Sequence, residues 1–229
     1  MSDLKELFLL VALVVSLMIL EKIFPLRRQK HKYVSRLLTN LLVSVLLYSA
    51  ALFTVKPMVL VGLSIVNEGG FGILNWLELP LWQNLIIGFL LMDLSFYYWH
   101  MINHRVAWFW RFHLVHHVDP DLDASTSFRF HFLEVAYSMF FRFLQVLIIG
   151  VPLELFVAYE FVFQVMTFFH HSNLRLPLML DQVLNWFVVT PRMHGIHHSV
   201  LMPEAHSNFS VIFSFWDRLH GSFVNRPRN

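Results

Sequence analysis

Twenty residues, 80–99, carry one formal charge, that of Asp93, and are followed by His100 and His104. An apolar run of about 20 residues is what an α-helix needs to cross the hydrocarbon core of a bilayer. If the helix continues past the run, His100 and His104 stand at i and i+4, one turn apart on one face, and Asp93 and Tyr97 extend that stripe backwards. After eight more residues comes His113-x-x-His116-His117, so five histidines fall within eighteen positions. The same spacing returns far downstream as His194-x-x-His197-His198. These boxes read as the two halves of a metal site held by helices that emerge from a membrane.

Composition agrees. The apolar share is 57% and the charged share 14%, against about 45–50% and 25% in soluble domains. A formal charge of +2 gives no argument for nucleic acid. The chain has no cysteine, which excludes disulfides, thiolate-bound haem, cysteine-held iron–sulfur clusters and Cys-type zinc sites.

Taken in order, residues 7–20 form an apolar run ended by Glu21, Lys22 and Pro25. The start lacks a basic segment and large residues continue to Phe24, so a retained transmembrane helix is expected, not a cleaved signal. The basic stretch Arg27, Arg28, Lys30, Lys32 and Arg36 belongs on the cytoplasmic side by the positive-inside rule. Residues 37–66 are apolar, with Lys56-Pro57 predicted to kink or interrupt them. The loop 67–79, with Glu68 and Glu78 and no Lys or Arg, fits the opposite side. Two crossings after the basic loop, the span 80–99 brings the histidines back to the cytoplasmic side. Residues 118–131 read as a turn-rich polar loop. Residues 135–149 and 152–169 read as a hairpin in the bilayer, turning at Gly150-Val-Pro152. Arg142 and Glu160 within it are expected to pair, because ionisable groups at such depth are costly alone. Residues 176–189 suggest an interfacial helix. The expectation is an all-α polytopic membrane protein with four to five membrane-embedded helices and a cytoplasmic histidine-rich helical cap. It forms a single integral membrane domain over 1–229, with spans in 1–92 and the site in 93–221.

Neutral imidazole is the commonest protein metal ligand and suits iron, zinc, copper and nickel. The candidate ligands are His100, His104, His113, His116, His117, His194, His197 and His198, joined by His131 and His171. His170 reads as a neighbour of a ligand, and His31, His206 and His220 as ordinary histidines. One zinc takes four ligands and one octahedral metal six, so ten imidazoles suit two metals. The spacing does not divide the ten between the two ions. A ligating imidazole usually donates its other N–H to a carboxylate or carbonyl, and Asp93, Glu134 and Asp217 are candidates to accept it. Histidine ligation by itself also permits a dizinc membrane hydrolase or a non-catalytic membrane metal carrier.

The ordered set of boxes resembles the fatty acid hydroxylase/sterol desaturase superfamily of membrane di-iron enzymes. The matching features are the 93–104 run, His113-x-x-His116-His117, Arg129-x-His131-x-x-Glu134, His171-Ser-Asn173, Thr190-Pro191-Arg-Met-His194-x-x-His197-His198, Asn208 and the Phe215-Trp216-Asp217-Arg218-Leu219 ending. The resemblance covers roughly residues 93–221 and adds Asn173 to the supporting residues. Met101, Phe132, Ser210 and His220 stand where the family often has Arg, Pro, Gly and Phe; none of these removes a ligand, and they bear on substrate choice. The resemblance implies two iron ions (zinc can replace them in purified protein) and oxygen-dependent hydroxylation or desaturation of a fatty acyl, sterol or related lipid. It also implies an external electron donor, whether reductase, ferredoxin or cytochrome, since the chain carries no haem, flavin or iron–sulfur motif.

Overall fold

The computed structural model describes residues 2–227, excepting the side chains of residues 2–7, 48 and 50–56. Among the described residues the chain is all-helical, without strands; only two isolated bridges occur, Pro25 with Leu174 and Val188 with Phe213. Its long helices are α1 (Ser2–Ile23), α2 (Tyr33–Gly69), α4 (Leu81–Arg105), α6 (Phe132–Ile149) and α7 (Leu153–His171). The shorter α3 (Ile73–Trp76), α5 (Ala107–His117), α8 (Leu178–Leu184), α9 (Pro191–His197), α10 (Met202–Ala205) and α11 (Phe215–Leu219) complete it. Among the described residues four stretches are long and apolar enough to cross a membrane: Pro57–Trp76, Leu81–Arg105, Phe132–Ile149 and Leu153–His171. Leu60, Ile86, Phe140, Ile148 and Val157 on these stretches face outward and exposed, as an apolar medium allows and water does not. The expected first span begins at Leu7, whose side chain lies outside the described residues.

Helix α2 follows the unbroken of the two courses expected at Lys56-Pro57. Lys56-Pro57 does not end it: the helix runs 37 residues through Pro57, about 55 Å at 1.5 Å per residue. That exceeds a hydrocarbon core of about 30 Å, so α2 reaches from the bilayer to the histidine-bearing end. There Arg36 Nε donates to Asp119 Oδ1 at 2.8 Å and Nη1 to Asp123 Oδ2 at 2.7 Å. Asn40 Nδ2 reaches Asp119 Oδ2 at 3.0 Å.

The turn-rich polar segment 118–131 is accordingly largely buried in its middle. It closes into a 3₁₀ turn, Ala124–Phe128, whose first four residues are buried. Asp123 caps it, accepting from Ser125 N, while Thr126 Oγ1 accepts from Asp123 N. Glu21 adds a second tie, its Oε2 accepting the amides of Ala124 (3.1 Å) and Asn173 (2.9 Å). The sequence shows acids suited to turns; the arginine that buries them lies 83 residues away in the chain.

The α6–α7 hairpin forms as its sequence suggests. Gly150 takes φ +79 and donates to Val146 O, a left-handed cap that glycine alone adopts freely. A Cβ on Gly72 would overlap the Gly150 backbone, so α3 approaches this turn only because both positions lack side chains. Within the hairpin Arg142 Nη2 meets Glu160 Oε1 at 3.0 Å. Arg142 Nη1 also donates to Gln145 Oε1 at 2.8 Å, and its guanidinium lies 4.5 Å from the Phe96 ring. Met92, Leu155, Tyr159, Val211 and Ile212 pack the main core between α4, α7 and the chain after α10. In the expected interfacial segment only Leu178–Leu184 is helical, but Leu178, Met179, Val183, Trp186 and Phe187 are all exposed, an apolar face of the kind that lies in a membrane interface.

Candidate metal centre

The histidines converge from four helices. His100 and His104 of α4, His113 and His117 of α5 and His197 of α9 form one group. His116 of α5, His171 of α7, and His194 and His198 of the second box form another. Within each group the ligand nitrogens lie within 4.8 Å of one another. The two His-x-x-His-His boxes are used reciprocally. Box one gives its outer histidines to the five-membered group and its middle one to the four-membered group. Box two does the reverse. On a helix, residues i and i+4 share a face while i+3 lies rotated from them, so each box spans both groups.

Backbone carbonyls and one carboxylate fix which nitrogen faces inward. His100 Nδ1 donates to Phe209 O (2.8 Å), His197 Nδ1 to Ser207 O (2.7 Å) and His170 Nδ1 to Val211 O (3.1 Å). Three alternate carbonyls of one irregular segment thus hold rings from α4, α9 and α7. His116 Nδ1 donates to Arg129 O, His171 Nδ1 to Thr167 O and His113 Nδ1 to Glu134 Oε1 at 2.6 Å. A carbonyl can only accept, so His100, His116, His171 and His197 carry a proton on Nδ1, which leaves the Nε2 lone pair of each neutral ring to face its group.

A metal fits this donor set. His116 Nε2 and His171 Nε2 are 2.9 Å apart, His171 and His194 3.0 Å, His194 and His198 3.1 Å. The first contact cannot be a hydrogen bond, because both nitrogens present lone pairs. A shared cation resolves it: with metal–N distances of about 2.0–2.1 Å, neighbouring ligands stand about 2.9–3.4 Å apart. In the larger group the Nε2 atoms of His104, His113, His117 and His197 are buried without partners. Burial first, then the neighbouring imidazoles, hold His116, His117, His194, His197 and His198 well below the ordinary histidine value. The rings are therefore neutral and free to ligate.

The family model described as fatty acid hydroxylase matches residues 85–222. The chain belongs to that family. Similar proteins include the ornithine lipid hydroxylase OlsE of Rhizobium tropici, 28% identical over 65% of this chain and 44% of its own length. An alkylglycerol monooxygenase of Xenopus tropicalis is 29% identical over 59% of this chain and 29% of its own. A cholesterol 25-hydroxylase of Mus musculus is 27% identical over 63% and 48%. The match thus spans less than half the length of each of these relatives. No solved structure matches significantly. The two histidine groups fit metal binding, and these relatives are named as lipid hydroxylases or monooxygenases.

Not every residue singled out in the fatty acid hydroxylase boxes joins the centre. His131 lies outside both groups: it is the N-cap of α6, its Nδ1 accepting from Leu133 N at 3.1 Å, and it stacks on Phe132. Its ring nitrogen serves the helix end instead. Glu134 reaches a histidine, but Asp93 and Asp217 do not. Asp93 Oδ2 accepts from Phe213 N (3.1 Å) and Trp216 Nε1 (2.9 Å). Asp217 accepts the amides of Phe209 (2.7 Å) and Ser210 (2.9 Å). Both acids hold the segment whose carbonyls hold the rings. Asn173 clasps Arg27, accepting from its amide and donating to its carbonyl, each at 2.8 Å. His170 touches the centre's edge, its ring 4.1 Å from that of His194. The residues sequence reasoning missed include Ser207, Phe209 and Val211, which act through backbone oxygen, and Glu21, which reads as a charge ending a span. Asn208 carried one signal: its φ of +54 suits asparagine among non-glycine residues.

Proposed function

We propose that this chain is a membrane oxidoreductase that uses O₂ and external electrons to hydroxylate or desaturate a lipid. Nine histidines hold two iron ions: His100, His104, His113, His117 and His197 one, and His116, His171, His194 and His198 the other. The observation that carries this reading is the pair of lone-pair-lined histidine groups at the ends of membrane-length helices. The names of the relatives, which include ornithine lipid, alkylglycerol and cholesterol enzymes, support a lipid as substrate.

Iron bound there supplies O₂ reduction and the oxidising power to break an unactivated C–H bond. In hydroxylation one oxygen atom enters the C–H bond, and the other leaves as water with two electrons and two protons. The protein's own part is to orient His100, His113, His116, His171 and His197 through their Nδ1 partners and to bury the donors away from bulk water. The apolar helices beneath lead a lipid chain toward the centre. The electron donor is a separate reductase, ferredoxin or cytochrome. Residues 1–229 act as one membrane domain, a reading supported by the ties from Glu21, Arg27 and Arg36 to the 93–221 region. The histidine groups face the cytoplasm, because Arg27, Arg28 and Lys30 lie beside them.

The test is reconstitution of purified protein with ferrous iron and an electron donor, with and without O₂. The expected result is O₂-dependent formation of a lipid heavier by one oxygen or lighter by two hydrogens. Turnover that needs no O₂ and proceeds with zinc points instead to a hydrolase.

A further inference from the structure

A recess of about 510 Å³ opens beside the centre and is lined by one histidine of each group, His117 and His198. Arg27, Arg28 and Lys30 share its wall. Two acids also face it, but both are engaged. Asp119 is held by Arg36 at 2.8 and 3.0 Å. Asp121 accepts the amides of Lys30 and His31 and contacts His31 Nδ1.

Arg27 has no such counterpart. Its Nη2 donates to Pro191 O at 2.6 Å, its Nη1 is buried with no partner, and no carboxylate among the described residues pairs with it. Its guanidinium crosses α9 at Gly195, where any Cβ would overlap it. Asn173 fixes its backbone from both sides. A held cation with a vacant donor, in a recess rimmed by further cations, matches the fork geometry that guanidinium presents to an oxyanion.

We infer that Arg27, with Arg28 and Lys30, forms a subsite for the phosphate or carboxylate of an anionic lipid headgroup, seated next to His117 and His198. The inference rests on the lipid oxygenase reading and names its substrate class as lipids with an anionic head.

The experiment uses full-length iron-loaded protein in detergent and measures binding by calorimetry. The probes are dihexanoyl phosphatidic acid, decanoate and neutral dihexanoylglycerol, with inorganic phosphate as competitor. One or both anionic amphiphiles should bind saturably and at least tenfold more tightly than dihexanoylglycerol. Arg27→Gln should remove most of that preference, Arg27→Lys part of it, and Arg111→Gln, on an exposed face of α5, none. Competition by phosphate assigns the subsite to the oxyanion itself; binding that phosphate leaves intact assigns it to the intact lipid. Equal affinity for neutral and anionic probes in the unaltered protein overturns the inference without any variant. So does wild-type preference in Arg27→Lys and in a folded Arg27→Gln. Binding needs neither O₂ nor reductant: a protein that binds these lipids but oxidises none loses the oxygenase reading alone. One that hydroxylates lipids regardless of head charge or Arg27 loses the subsite alone.

Discussion

Asp217 touches no histidine, yet its Oδ1 accepts the Phe209 amide at 2.7 Å, and the Phe209 carbonyl takes the His100 Nδ1 proton at 2.8 Å. The carboxylate therefore orients a ring through the backbone of one residue. Asp217→Ala leaves the buried amides of Phe209 and Ser210 unpaired, at roughly 1–3 kcal/mol each. The expected outcome is a lower melting temperature together with less iron per chain by elemental analysis. Asp217→Asn, which keeps one acceptor oxygen, should fall between.

The division of the boxes makes a histidine series informative. Alanine at His116, His171, His194 or His198 should drop iron toward one ion per chain, and so should alanine at His104 or His197, from the other group. His131→Ala should keep both ions and cost about 1 kcal/mol as a lost helix cap. His31→Ala should also keep them. Loss of iron from His131→Ala would return that residue to the ligand set.

Acid sensitivity should concentrate at the junction of α2 with the 3₁₀ turn. Burial alone would raise the Asp119 carboxyl, but the hydrogen bonds and charge of Arg36, with Thr126 and Asn40, hold it below the ordinary carboxylate range. A carboxylate whose value falls on folding contributes stability that is present above its unfolded value of about 3.9 and lost as pH falls through the folded one. Asp119→Asn should flatten the acid limb of a stability–pH curve followed by tryptophan fluorescence. It should also cost stability at neutral pH, but less than the roughly 3–5 kcal/mol of a buried charge left wholly unpaired, because Asp123 still accepts from Arg36 Nη1 at 2.7 Å.

The Arg142–Glu160 pair can be tested by exchange. Arg142→Glu or Glu160→Arg alone leaves like charges inside the hairpin, and either should reduce folded yield sharply. The double exchange should recover part of it. Recovery stays incomplete because Gln145 and the Phe96 ring sit where a guanidinium at position 142 meets them.

Sidedness has a clean assay, because the chain contains no cysteine. Val200, 95% exposed beside His198, and Glu78, in the loop before α4, should report opposite faces. Val200→Cys should react with an impermeant maleimide only from the cytoplasmic side, and Glu78→Cys only from the other.

Much of this was legible in the residues. Apolar runs of bilayer length, the hairpin at Gly150 and the Arg142–Glu160 pair follow from spacing and polarity, and nine of the ten histidines expected as ligands fall within the two groups. At Lys56-Pro57 the residues left both one kinked helix and an interrupted one open, and the packing of α2 along α6 accompanies a single helix through Pro57. His131 lies apart from both groups: a histidine at a helix end serves equally as cap or ligand, and only its neighbours decide.

By itself the sequence determined the parts: helices that must satisfy their backbone internally in lipid, and imidazoles in i, i+3, i+4 sets with no cysteine to compete. The tertiary structure alone decided how they divide. Helical spacing fixes the angle between His113, His116 and His117 but not which helix each one meets, and that depends on how α4, α7 and α9 cross α5. It also decided that carbonyls of Ser207, Phe209 and Val211 seat three rings. Every residue carries a backbone oxygen, and only the folded path of the chain aims these three at the metal centre.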